Sequence, residues 1–160
     1  MSKYRNQQRG FTLLEILLVV AAIAILAGIV IIAINPSKQL GDTNNAQRSS
    51  DVNAILNAVY QYAIDNNGSL PSGIDSVTGT YQVLGTDGTG CDSTCGAVTT
   101  VAACVDLSSV LTPTYIVDIP SDPQNGSAAN TDYYINRDGD GRVVVGSCDP
   151  EQSETITITR

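Results

Sequence analysis

Few side chains in this sequence could carry chemistry, and those few point to binding or cross-linking rather than catalysis. Asn136, Asp138, Asp140 and Gly141 place oxygen ligands at alternate positions followed by a turn glycine, the first half of a calcium loop. The second half fails, because Ser147 stands where a bidentate glutamate belongs; the competing reading is a hairpin turn, which Asp-Gly pairs favour. Four cysteines, Cys91, Cys95, Cys104 and Cys148, form an even set suited to two disulfides. Three pairings are open to them; we favour Cys91 with Cys95 and Cys104 with Cys148. Their spacing is too irregular for a zinc site. Histidine is absent, which removes imidazole base catalysis and histidine-bound metals. No nucleophile stands beside a base and no glycine loop is built for phosphate, so the sequence reads as non-enzymatic.

Glu15 is the most informative residue. It sits at the start of an apolar run in which residues 16–34 carry no charge and one glycine, close to the ~20 residues that cross a bilayer as helix. A carboxylate inside such a segment costs about 2.5 to 3.5 kcal/mol at the helix centre and less near an end, so it usually has a partner. Lys3, Arg5 and Arg9 precede the run, and fifteen of the sixteen acids follow Gly41. The positive-inside rule therefore keeps the N-terminus cytoplasmic and exports an acidic domain. Such a domain disfavours nucleic acid as a partner without excluding it, since a few exposed bases suffice on a filament.

Past residue 34, Leu40, Val52, Ile55, Leu56, Val59, Tyr62 and Ala63 recur at helical spacing, and Asn66, Asn67 and Gly68 supply the stop. One helix from Phe11 to about Asn66 would be ~84 Å long. Pro36 removes a donor and clashes with the preceding turn, and Gly28 weakens helix nearby, so a bend or melted stretch is expected around them. Beyond Ser69 the Gly, Ser, Thr, Asn and Asp content reads as a loop-rich β-domain with strands near 81–84, 132–136, 142–146 and 155–159 and a helical turn at 107–111. The predicted fold class is α+β: a long N-terminal α-helix, transmembrane in its first half and kinked near Pro36, packed against a small antiparallel β-sheet. The divisions are 1–10, 11–35, 36–67 and a disulfide-bonded 68–160.

The opening, MSKYRNQQRG before FTLLEILLVV, resembles the class III signal of type IV pilins and type II secretion pseudopilins: a basic leader ending in glycine, then phenylalanine, then a glutamate four residues on. The resemblance implies that a prepilin peptidase cuts between Gly10 and Phe11 and N-methylates Phe11. It implies also that Glu15 of an incoming subunit pairs with the Phe11 amine of the subunit ahead. Partners implied in the same way are further copies of the chain in a helical filament, the peptidase, an assembly ATPase and a platform protein, with the cytoplasmic membrane holding the precursor and the cell surface the filament. Residues 111–134, with Tyr115, Ile119-Pro120, Asp122-Pro123 and Tyr133-Tyr134, are similar to the loop of major pseudopilins, a group known for a calcium site near the Asp138 turn. No other cofactor is implied.

The expected function is a structural filament subunit for adhesion, motility or DNA uptake. A major pseudopilin of type II secretion is the alternative within this class, and an uncleaved, membrane-anchored monomeric binding module the alternative outside it. An ordinary secretory signal cut after Ala22-Ile23-Ala24 would leave about ten apolar residues at the new N-terminus, which argues against it.

Overall fold

The computed structural model describes residues 10–77 and 79–160; Lys3, Arg5 and Arg9 lie outside them. Two compact units divide at Gln39 and Leu40. The first contains helix α1 (Leu13–Ile34), of which no residue is buried. Aliphatic side chains point outward on every side of it, the pattern of a helix meant for an apolar surrounding rather than for one packed face.

Asn35 separates α1 from α2 (Pro36–Asp65) by adopting the left-handed conformation, φ 48° and ψ 78°. Asparagine tolerates that region better than most residues. It then caps the second helix, accepting from the Lys38 N–H at 3.4 Å through its side chain and 3.1 Å through its carbonyl. Pro36 thus occupies the first position of α2, where the missing N–H has no partner to lose. The predicted clash of Pro36 with the turn before it does not arise, and Gly28 lies within unbroken α1.

α2 ends as its sequence dictates. Gly68, at φ 86°, brings its N–H to the Ala63 carbonyl at 2.7 Å, a Schellman-type closure.

In the second unit, β1 (Gln82–Val83), β2 (Tyr133–Arg137), β3 (Val143–Ser147) and β4 (Thr157–Thr159) form one antiparallel sheet in sequential order. A short helix α3 (Ser108–Leu111) precedes β2 and a 3-10 turn (Glu151–Ser153) precedes β4. Val52, Ile55, Leu56 and Val59 of α2 pack with Tyr133, Ile135, Val143 and Val145 on one face. On the other, Tyr134 and Cys148 pack with Val83, Val98, Val144 and the remaining cysteines. With both faces covered the strands need not alternate apolar and polar, which is why Tyr133, Tyr134 and Ile135 run together.

The disulfides correct our favoured pairing. Cys91 bonds Cys104 and Cys95 bonds Cys148. The loop folds back on itself, with the Cys91 N–H donating to Ala102 at 3.0 Å and the Cys104 N–H to Asp87 at 2.9 Å, which brings the Cα atoms of 91 and 104 to 5.5 Å. Cys95 is meanwhile carried over the end of β3, where the Ala97 N–H donates to the Cys148 carbonyl at 2.9 Å. Close sequence neighbours at 91 and 95 therefore face different partners.

Candidate membrane and assembly segment

Glu15 is built into the first turn of α1. Thr12, in extended conformation, is the N-cap and its Oγ1 accepts from the Glu15 N–H at 3.3 Å. Thr-x-x-Glu is the spacing of a capping box, in which the acid also favours the positive end of the helix dipole. That signal is visible in the sequence, and Thr12 is a residue missed when Glu15 is weighed only as an ion-pair partner. Local capping and assembly pairing are compatible, because the N-cap uses the Glu15 backbone and leaves its carboxylate available.

Gly10 and Phe11 precede the helix in exposed, non-helical backbone. Beyond them α1 spans 22 residues, about 33 Å at 1.5 Å per residue, against a hydrocarbon core of about 30 Å. It is the one helix among the described residues long and apolar enough to cross a membrane.

Of the calcium candidates, Asp138 and Asp140 meet at one turn, where Arg142 engages both. Arg142 donates from Nε to Asp138 Oδ2 at 2.8 Å and from Nη2 to Asp140 Oδ2 at 3.2 Å. Asp138 Oδ1 accepts the Asp140 and Arg142 N–H groups at 3.0 and 2.9 Å. Desolvation would raise the Asp138 carboxyl, but these bonds and the Arg142 charge together hold it below its ordinary value. Asn136 faces elsewhere, its amide donating to the Val77 and Thr80 carbonyls at 3.0 and 2.8 Å. Gly141 at φ 84° completes a hairpin turn, and no metal-holding group of three or more acids or cysteines occurs among the described residues.

A polar cluster that the sequence reading missed ties α2 to the loop before β2 and to the 3-10 turn. Arg48 is fully buried; Nε and Nη2 bond Asp122 at 2.6 and 3.1 Å, while Nη1 bonds Asn45 and Glu151, each at 2.9 Å. Burial alone would lower the guanidinium pKa, but these carboxylates raise it. Burial likewise pushes Asp122 up, and Arg48 with the Gln124 and Asn125 N–H groups brings it below its ordinary value. Gly41 opens this face of α2, and a methyl there would press on Gln152. Residues 41, 45, 48 and 52 keep helical spacing, so the buried stripe continues beneath a polar disguise.

Comparison with known proteins finds similarity over part of the chain. Residues 5–31 match the family described as the prokaryotic N-terminal methylation motif. The chain is 40% identical over 62 residues to type II secretion system core protein G of Escherichia coli (strain K12), covering 39% of this chain and 41% of that protein. It is 38% identical over 63 residues to the protein of that name from Aeromonas hydrophila, covering 39% and 43%. Over 66 residues it is 39% identical to that of Pectobacterium carotovorum subsp. carotovorum, covering 41% and 40%. The chain thus spans about two fifths of the length of the curated relatives it matches. No solved structure matches it significantly.

Proposed function

We propose that this chain is a structural subunit of a type IV pilus-like filament, held in the membrane by α1 as a precursor and polymerised through the same helix after cleavage between Gly10 and Phe11. The observation that carries the reading is the conjunction of the methylation motif over residues 5–31 with a 22-residue apolar helix of which no residue is buried. Copies of α1 exchange lipid contacts for each other, so close packing and the pairing of Glu15 with a neighbour's freed Phe11 amine drive assembly. The peptidase, ATPase and platform protein belong to the same proposal, as do the N-methylation of Phe11 and an extensible segment around Gly28 and Pro36. No catalytic role is proposed for the chain.

A second reading, a secretion pseudopilin, is favoured by the names of the three relatives. Electron microscopy of producing cells separates the two, since surface fibres of micrometre length support the pilus and only short periplasmic assemblies the pseudopilus. Mass spectrometry tests their common ground: the mature protein should lack residues 1–10 and carry a methyl group on Phe11, and an intact N-terminus would overturn both. In Glu15→Ala cells, processing should persist while filaments fall below a tenth of the wild-type yield; undiminished filaments would sink the pairing.

A further inference from the structure

Two carboxyl groups outside the Arg48 cluster meet with no cation between them among the described residues. Asp132, just before β2, is 3% exposed, and its Oδ2 has no hydrogen-bond partner. Its side chain is within hydrogen-bonding reach of Asp149, just after β3. Both line a cavity of about 390 Å³ shared with Thr94, Asn125 and Asn130. Asp132 is buried and Asp149 half-buried, so ionising both is opposed by the burial of the first and by the repulsion between like charges.

The backbone holds the two acids together. The Cys148 N–H donates to the Asp132 carbonyl at 2.9 Å, next to the Cys95–Cys148 disulfide. Asp149 Oδ1 accepts from the Gly96 N–H at 3.3 Å, and the Asn130 amide donates to Thr94 Oγ1 at 2.8 Å across the cavity rim. The charged groups that act on Asp132 are Asp149 from the segment after β3, Asp122 from the loop before β2, and Arg48 from α2. Arg48 is already committed to Asp122 and Glu151.

We propose that Asp132 and Asp149 share one proton and form a pH-sensitive latch that fastens the disulfide loop at residues 94–97 and the loop at 125–130 to the ends of β2 and β3. Protonated, the Asp132 hydroxyl donates to the Asp149 carboxylate and the latch is closed. Loss of that proton to solvent leaves two anions in contact, and the rim around Thr94 and Asn130 loosens. Burial first, then the Asp149 and Asp122 charges, push the Asp132 carboxyl up to about 7, so the latch opens as the surroundings pass from acidic to mildly alkaline.

The test is ¹³C carboxyl NMR of the full chain in detergent micelles, titrated from pH 4 to 9 in chelator-treated buffer. One carboxyl should titrate near pH 7, vanish in Asp132→Asn, and move to lower pH in Asp149→Asn. Asparagine suits the positive φ of 63° at position 132, so that variant is expected to fold, and its Tm should change little from pH 5 to 8 where the wild-type value falls. If every wild-type carboxyl titrates below pH 5, or the high one stays put in Asp149→Asn, the latch is overturned. It is equally overturned if millimolar calcium abolishes the high titration in the wild type, for the pair then holds a metal ion instead of a proton.

Discussion

Arg48 is a fully buried guanidinium held by several side-chain hydrogen bonds, and its removal gives a sharp test at the scale of a single residue. Breaking a buried ion pair by deleting one member costs about 3 to 5 kcal/mol, because the remaining charge stays buried without compensation. Arg48→Leu should therefore unfold the second unit at lower denaturant by that order, whereas Arg142→Leu at the exposed Asp138 turn should cost under about 1 kcal/mol; chemical unfolding followed by circular dichroism checks both. The pH dependence has two limbs of opposite sign. Asp122 titrates below its unfolded value, so the stability it contributes is whole at neutral pH and is lost as pH falls below about 4. Asp132 titrates above its unfolded value, so its contribution is whole below about 4 and is lost as pH rises toward about 7. Thermal unfolding across pH should accordingly show greatest stability near pH 4 to 5, and a monotonic rise toward pH 8 would contradict the pair of assignments. Neither residue is legible in sequence: an arginine between polar neighbours on a helix reads as solvated, and only the fold reveals that Asp122 and Glu151, 74 and 103 residues away, converge on it.

Helices and strands were far more readable than their cross-links. Val52, Ile55, Leu56 and Val59 mark the buried stripe of α2 by spacing alone, and each expected strand overlaps an observed one, since turn residues such as Asp140-Gly141 leave little choice of where a hairpin reverses. The helix break differs in its cause. Asn35 takes the left-handed turn and Pro36 merely starts the next helix, so Asn35→Val should strain the junction by about 1 to 2 kcal/mol, while Pro36→Ala should leave the helical signal in circular dichroism nearly unchanged. Cysteine pairing escaped prediction because it depends on a loop reversal between residues 87 and 104 that no local pattern announces. By loop-closure arithmetic the Cys95–Cys148 bond, spanning 53 residues, is worth about 4 kcal/mol and the Cys91–Cys104 bond, spanning 13, about 3. Replacing either pair with alanine and comparing Tm should reproduce that order.

At the scale of the molecule, the two units divide the labour that the charge pattern foretells. The second, Leu40–Arg160, contains the buried hydrophobic cluster and both disulfides, so a chain beginning at Leu40 should be a soluble monomer by gel filtration and unfold within a few degrees of the full protein in detergent. Aggregation or non-cooperative unfolding of that shortened chain would show that the first unit is needed for folding.

The uniform aliphatic girth of α1 has a mechanical corollary. Turning such a rod about its long axis swaps one hydrocarbon surface for an equivalent one, so azimuth is almost free. Only the carboxylate at Glu15 marks a direction on it. In the proposed filament the pairing of Glu15 would resist sliding of these rods while leaving them to yield to twist, so that torsion applied at one end would dissipate along the length.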